Sequence, residues 1–115
     1  MNGRILFVSD DVFFWARVAA AAKAAGRDAS RVGDDAGMEA ALAAGGVVRV
    51  LFDLSTRAVD PVTCASRWKA TTPPPELVAF GSHVNEGALA AAKAAGFDQV
   101  MANSRFQREL ALLVG

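Results

Sequence analysis

Residues 47–55 read VVRVLFDLS, an apolar run that ends in an acidic residue. Aliphatic and aromatic side chains fill residues 47–52 except at Arg49, a composition typical of a strand that is buried on both faces. Asp53 follows directly, where a central strand would leave its sheet. In an open α/β sheet, ligands bind at the carboxyl ends of the strands, so Asp53 is the first candidate for a functional residue.

The bulk composition predicts one folded domain over residues 1–115. Hydrophobic residues make up 53% of the chain and charged residues 21%, which excludes a disordered chain. The 12 basic and 12 acidic residues cancel, so the charge does not indicate binding to nucleic acid or anionic membranes. The single cysteine, Cys64, excludes an internal disulfide and a cysteine zinc cluster. With no signal-peptide pattern and no apolar run near the membrane-spanning length of about 20 residues, a cytoplasmic location is expected.

Strand and helix patterns alternate along the chain. Short runs rich in apolar residues predict five strands, at residues 4–8, 27–32, 47–52, 76–80 and 98–102. A helical pattern follows each strand, and the expected capping residues are Asp10 or Asp11, Asp34 or Asp35, Asp60, Asn85 and Ser104. Short βα connections of this kind require right-handed crossovers and a mostly parallel sheet, so the predicted fold class is α/β.

The last helix is predicted to begin at a capping box. Ser104 and Gln107 have the S-x-x-Q spacing in which a side chain and a backbone group satisfy each other at a helix start. Phe106, Leu110 and Leu113 then recur on one face, as in an amphipathic helix that packs on a sheet.

The first helix begins with Val12-Phe13-Phe14-Trp15. This run holds more large apolar side chains than one inward stripe can take, so at least one is expected at the surface. Exposed aromatic side chains favour a protein partner or a self-association face, with a dimer as one outcome.

The order of these elements and of their last residues resembles the response-regulator receiver domain, the CheY-like module of two-component signalling. The resemblance covers the full length and rests on ILFVSDD at residues 5–11, the strand that ends in Asp53, and GSH at residues 81–83. It implies a flavodoxin-like, doubly wound (βα)5 fold with a five-stranded parallel sheet in the order 2-1-3-4-5.

The resemblance also implies a phosphorelay chemistry. Such domains hold Mg²⁺ with an acidic pair after the first strand, and they accept a phosphoryl group on an aspartate after the third. Asp53 falls on that phospho-acceptor position, and Asp10 falls on the second acid of the pair. Ser9 falls on the first acid position, and Asp11 is adjacent at the helix start. The implied Mg²⁺ ligands are therefore Asp10, Asp53 and Ser55, a weak set.

Two further positions depart from the family pattern. Gly81 falls where a switch hydroxyl is expected, with Ser82 next to it, and Asn103 falls where the family has lysine. Asparagine carries no charge to neutralise an acyl phosphate, although Arg105 lies two residues further on. These departures predict a stand-alone pseudo-receiver without enzyme activity or required cofactor, in which phosphorylation at Asp53 is weak or absent.

Two alternatives remain open at this point. A conventional phospho-accepting receiver would use Arg105 in place of the missing lysine. A small anion-binding protein or enzyme would use the corner formed by Asp53, His83 and Arg105. All the polar candidates follow strand ends and are expected to converge at the carboxyl edge of the sheet: Asp10, Asp53, Ser55, Ser82, His83, Asn103 and Arg105. If Asp10 and Asp53 only cap loops and helix starts, that edge carries no site.

Overall fold

The computed structural model describes residues 3–115, which form a five-stranded sheet with helices on both faces. The strands are β1 Arg4–Val8, β2 Ala29–Val32, β3 Val47–Asp53, β4 Glu76–Gly81 and β5 Gln99–Ala102. The helices are α1 Val12–Ala24, α2 Asp35–Ala44, α3 Pro61–Lys69, α4 Glu86–Ala95, α5 Asn103–Arg108 and α6 Leu110–Val114. All strand pairs are parallel and their order is β2-β1-β3-β4-β5, which confirms the predicted doubly wound fold.

The opening stretch forms the central strand. In the register of the sheet, Phe52 lies beside Val8 of β1, and Asp53 lies beside Phe80 of β4. Alternate residues of β3 enter two separate cores because successive side chains point to opposite faces. Phe52 packs with residues of α2, α3 and α4, whereas Leu51 packs with residues of α1, α5 and α6. Burial on both faces at residues 50–52 is what the apolar run predicted, whereas Val48 near the start of the strand is 43% exposed.

Arg49, which interrupts that run, is held at the amino end of the sheet. Its Nε donates to Glu76 Oε1 at 2.6 Å, and its Nη1 donates to the carbonyl of Leu113 in α6. Gln99 donates to the other oxygen of Glu76 at 3.0 Å. The hydrogen bond from Gln99, followed by the bond and charge of Arg49, lowers the pKa of the Glu76 carboxyl. The charged residue within the strand therefore ties together β3, β4, β5 and the last helix.

Four of the five predicted helix caps are confirmed. Backbone N–H groups in the first turn donate to the side chains of Asp11, Asp34, Asp60 and Asn85 at the starts of α1, α2, α3 and α4. These signals are local, because a capping side chain satisfies donors only two or three residues away.

The capping box predicted at Ser104 is wrong. Helix α5 begins at Asn103, directly after β5, so its N-cap is Ala102 and Ser104 already lies in the first turn. Among the described residues, no side chain donates or accepts a capping hydrogen bond at the start of α5 or α6. The predicted single last helix is also divided at Glu109, and buried Phe106 fixes its first part against the sheet.

Other boundaries shift by a few residues. Strand β2 begins at Ala29 rather than residue 27, because the backbone N–H of Arg27 donates to the carbonyl of Ala22 in α1. On α3, Val62 is 53% exposed, whereas Cys64 is fully buried. Within the described part of the chain, no helix combines the length and apolar character needed to cross a lipid bilayer.

Cys64 is expected to resist thiol reagents in the native protein. It is fully buried in α3, and burial, followed by the nearby charges of Asp35 and Asp60, raises its pKa to about 12. The thiolate is the reacting form, so at pH 8 the native side chain stays protonated as well as inaccessible. Reaction with a chromogenic disulfide should be slow in buffer and immediate in denaturant. Fast stoichiometric reaction without denaturant would contradict this packing.

Candidate functional site

The candidate site lies where β1, β3, β4 and β5 end at the carboxyl edge of the sheet. Four parallel neighbours bring the residues that follow them to one edge, as topology predicted. The segments concerned are residues 9–11 after β1, residues 53–56 at the end of β3 and just beyond it, residues 81–85 at the end of β4 and just beyond it, and residues 103–105 after β5. What these segments can do depends on the side-chain contacts within and between them.

The Asp53 carboxylate accepts three hydrogen bonds, which engage both of its oxygens. The Ser9 hydroxyl donates to Oδ2 at 2.8 Å. Ser55 donates to Oδ1 from its backbone N–H at 2.9 Å and from its hydroxyl at 2.7 Å. Ser9 is fully buried and Asp53 is 5% exposed, so neutral donors rather than water surround most of this charge. Hydrogen bonds to the ionised form offset the desolvation that burial imposes on a carboxylate.

Ser9 also connects Asp53 to the start of α1. Its Oγ accepts a hydrogen bond from the backbone N–H of Asp11 at 3.0 Å, while Oγ donates to Asp53. Its carbonyl accepts from Arg31 Nη1 at 2.9 Å, which fixes the backbone from the edge strand. The hydroxyl is therefore used as donor and acceptor at once, and Ser9 has a defined place in the site.

The two acids that follow Ser9 have different environments. Asp11 Oδ1 accepts from the backbone N–H groups of Phe13 and Phe14, both at 3.0 Å, which is the cap of α1. Asp10 is exposed, and within residues 3–115 its side chain takes part in no hydrogen bond or ion pair. Of these two acids, Asp10 is the one for which no carboxylate oxygen is engaged by any described group, whereas Asp11 has one oxygen engaged.

Leu54 occupies the space beside Gly81. A Cβ placed on Gly81 would lie 3.2 Å from Leu54 Cβ, closer than ordinary van der Waals contact. A residue with a hydroxyl side chain at position 81 would require Leu54 to shift. A groove of about 70 Å³ lies alongside and is lined by Leu54, Ser55, Gly81, Ser82, Asn85, Ala88 and Leu89. Sites that bury a drug-sized or nucleotide-sized ligand are several times larger.

The structure does not join the corner proposed for Asp53, His83 and Arg105. Arg105 Nε pairs with Glu109 Oε2 at 2.7 Å, one helical turn away on the outer side of α5. Among the described contacts, no hydrogen bond or ion pair connects any two of the three residues. His83 is exposed, so the arrangement provides no nucleophile–base pair.

Ser82 and Asn103 are also exposed and lie away from the Asp53 hydrogen bonds. The Ser82 hydroxyl accepts from Val84 N at 3.4 Å, a local turn contact. Asn103 is the first residue of α5, and its amide takes part in no side-chain hydrogen bond within the described range. Neither side chain reaches Asp53 in this arrangement.

The donor set fits the Mg²⁺ of receiver domains poorly. Mg²⁺ demands near-octahedral oxygen coordination and is usually bound through one or two carboxylates whose oxygens are free to coordinate it, together with several waters. Between residues 3 and 115, no group of three or more His, Cys, Asp or Glu side chains lies close enough together to hold a metal ion. The buried carboxylate of Asp53 is already hydrogen-bonded at both oxygens, and the hydroxyl of Ser9 stands beside it. Of the two acids predicted as Mg²⁺ ligands, only Asp10 has a carboxylate that no described hydrogen bond engages.

Two residues of the site were not expected from the sequence. Leu54 follows Asp53, outside the apolar run at residues 47–52, and it fills the space at Gly81. Thr56 is 6% exposed, and its Oγ1 has no hydrogen-bond partner in the described part of the chain, while its backbone N–H donates to the carbonyl of Asp53. No periodicity or motif marks either residue, because both depend on contacts between strands.

Solved structures with this fold include several receiver domains. The receiver domain of the sensor histidine kinase PA1611 from Pseudomonas aeruginosa PAO1 is 17% identical with a TM-score of 0.77, covers 100% of this chain and 99% of that chain, and holds a magnesium ion in its active-site cleft. The receiver domain of a response regulator from Bermanella marisrubri is 17% identical with a TM-score of 0.80, and 100% of each chain is covered.

The receiver domain of NtrX from Brucella abortus is 21% identical with a TM-score of 0.78, covering 94% of this chain and 92% of that chain. No protein-family model matches the sequence, and no curated protein matches it either. At these identities the likeness concerns the backbone architecture and not the residues of the site. The chain has the fold of the response-regulator receiver domains.

Proposed function

We propose that residues 1–115 form one receiver-like signalling domain that acts through protein contacts, with phosphorylation at Asp53 weak or absent. The observation that carries the proposal is the state of Asp53, whose two oxygens accept hydrogen bonds from Ser9 and Ser55. The fold supports the signalling role, because similar structures are receiver domains of histidine kinases and response regulators. The role involves no catalysis by this chain, and we place it in the cytoplasm.

The hydrogen bonds disfavour attack by Asp53 on a phosphoryl group. A carboxylate oxygen must be free to approach phosphorus, and cations must neutralise the charge that gathers there. Ser9 supplies a neutral hydroxyl at 2.8 Å where a carboxylate would help to hold Mg²⁺. Asn103 adds no positive charge, so the phosphoryl oxygens would lack both expected counter-charges.

The means of reading a phosphoryl group are missing as well. Gly81 has no hydroxyl, and Leu54 packs into the space that a larger side chain there would need. Arg105, the candidate substitute for the missing lysine, is already paired with Glu109. A conventional phospho-accepting receiver would therefore have to break that ion pair and displace Ser9 from Asp53. The presence of Mg²⁺ in the similar PA1611 domain is the observation that favours this alternative.

Phosphorylation in solution tests the proposal directly. The protein is incubated with Mg²⁺ and acetyl phosphate, and the mass of the intact chain is measured; in parallel, beryllofluoride is added while amide NMR signals are followed. We expect no stoichiometric adduct and no shift changes centred on Asp53. A stoichiometric phosphoryl adduct that disappears in Asp53→Asn would overturn the proposal and establish the conventional receiver.

A further inference from the structure

The outward surface at the start of α1 carries the most exposed large apolar side chain among the described residues. Phe13 is 85% exposed and its neighbour Val12 is 55% exposed. The sequence predicted that one residue of Val12-Phe13-Phe14-Trp15 would be outside, and Phe13 confirms this. Leaving a phenyl ring in water on a folded surface forgoes the stabilisation that its burial would give.

A recess lies next to the exposed ring. It has a volume of about 220 Å³ and is lined by Asp11, Phe13, Phe14, Arg17 and Gln107. We call Val12 together with these five residues the Phe13 face. The recess is bounded by α1 on one side and α5 on the other, and it is large enough to accept an aromatic side chain. The face therefore carries a projecting apolar group and a hollow side by side.

The Phe13 face also carries one charge of each sign without a counter-ion. Arg17 donates from Nη1 to the neutral amide oxygen of Gln107 at 3.3 Å and pairs with no carboxylate in residues 3–115. Asp11 uses Oδ1 to cap α1, and no described group donates to its Oδ2. A guanidinium and a carboxylate on the rim of one recess are thus each available to an opposite charge.

We propose that the Phe13 face is a self-association surface, on which a second copy of this chain docks in a two-fold arrangement. A two-fold interface uses the same patch on both partners, so the patch must contain both halves of every contact. Here Phe13 of one copy enters the recess of the other, and Arg17 of each copy meets Asp11 of its partner. This pairing satisfies both unmatched charges and removes both exposed rings from water.

The proposal deepens the proposed function, because it names the partner of a domain that acts through protein contacts. If the partner were a helix of a different protein, that helix would only have to be complementary to this face. The presence of an aromatic ring, a recess, an acid and a base together on one patch would then have no explanation. The contact does not involve Asp53, so the phosphorylation experiment and the association experiment fail independently.

Sedimentation velocity of the full chain tests the proposal across the micromolar to millimolar range. We expect the wild-type sedimentation coefficient to rise with concentration to that of a dimer. Phe13→Ala should weaken association by at least about tenfold, as truncation of a central aromatic contact does. The matched control is Val62→Ala, which shortens an exposed apolar side chain on α3, across the sheet from α1.

Charge variants sharpen the test. Asp11→Asn keeps a capping oxygen while removing the charge, and Arg17→Gln removes the opposite charge. Each should weaken association, and added salt should weaken the wild type more than either variant. A chain that remains monomeric throughout, or a dimer that Phe13→Ala leaves intact, would overturn the proposal; the first result would leave a helix of another protein as the occupant.

Discussion

Replacement of Ser9 by aspartate is expected to destabilise the protein in metal-free buffer and to make its stability depend on Mg²⁺. Ser9 is fully buried, and its Oγ lies 2.8 Å from Asp53 Oδ2. A carboxylate there removes a hydrogen bond and brings two anionic oxygens together in a site with little water. An unpaired buried charge of this kind typically costs about 3–5 kcal/mol. We expect the free energy of unfolding to fall by an amount near the lower end of that range.

Mg²⁺ should restore much of the lost stability. Aspartate at position 9 would add a second buried carboxylate next to Asp53, with Asp10 nearby in sequence, and carboxylate oxygens are the ligands that Mg²⁺ prefers. An ion that binds only the folded state raises the free energy of unfolding in proportion to the logarithm of its concentration. Urea unfolding with EDTA and with Mg²⁺ measures the effect. The free energy of unfolding of the wild type should change much less when Mg²⁺ is added.

Ser9→Asn is the matched control, because asparagine has nearly the shape of aspartate without its charge. It should lose some stability through crowding and gain none from Mg²⁺. If Ser9→Asp shows the same loss as Ser9→Asn and no greater response to Mg²⁺, then Ser9 is not the residue that separates this site from a metal site.

The loss in Ser9→Asp should also depend on pH. Repulsion favours protonation of one carboxyl of the new pair, so a pKa of the pair is raised above its unfolded value. A group with a raised folded pKa contributes stability below its unfolded pKa and loses it as pH rises through the folded pKa. The difference in the free energy of unfolding between Ser9→Asp and the wild type should therefore become smaller as the buffer is acidified. If this difference in stability became larger on acidification, repulsion between the two carboxylates would not be the cause of the destabilisation.

The strands and the helix starts are predictable because their signals are local. The run at residues 47–52 favours burial on both faces, and the parallel α/β sheet provides that burial for residues 50–52. Asp60 followed by Pro61 marks the start of α3 within two residues. The exposure of at least one residue among residues 12–15 also follows from counting, since one helix face cannot bury four large neighbours, although counting does not select Phe13.

Contacts that join distant segments could not be predicted in this way. Ser9 and Asp53 are 44 residues apart, and nothing in either segment specifies that a hydroxyl will donate to that carboxylate. The packing of Leu54 against Gly81 depends on the register of β3 and β4. Arg105 was a candidate to lie beside Asp53, and the structure instead pairs it with Glu109, the residue that follows α5.

Ser104 shows how a correct local signal fails when tertiary packing decides. The S-x-x-Q spacing is a sound indication of a helix start, yet the N-cap of α5 is Ala102, two residues before the predicted cap at Ser104. Strand β5 runs directly into the helix, so the extended N-cap position falls at Ala102 and Ser104 already lies in the first turn. Burial of Phe106 in the core fixes the helix position, and this contact outweighs the preference of one side chain.

Phe106→Ala is expected to lower the free energy of unfolding by about 3–5 kcal/mol, the usual cost of removing a buried phenyl ring. Phe106 is fully buried, and its ring stacks on Phe80 with a centroid distance of 3.7 Å. It also meets the edge of Phe14 at 5.5 Å. Truncation would leave a cavity between α5, β4 and α1.

The loss of stability in Phe106→Ala should be greatest within α5. Helix α5 has six residues and no side-chain cap among the described contacts, so it is too short to persist without its packing. Urea unfolding measures the change in the global free energy of unfolding. Amide hydrogen exchange should show that residues 103–108 lose more protection than this global change accounts for. Asn103 and Arg105 lie on this helix, so their places at the edge of the sheet depend on Phe106.

Phe13→Ala is the matched control, since it deletes the same ring from an 85% exposed position. At concentrations low enough to keep the chain monomeric, it should change the free energy of unfolding by no more than about 0.5 kcal/mol. If Phe13→Ala and Phe106→Ala lowered the free energy of unfolding by similar amounts, the difference in exposure between the two rings would not determine their contributions to stability. A large loss for Phe106→Ala alone would show that the last strand and helix are held at the Asp53 edge by one aromatic contact, which stands in for the missing caps.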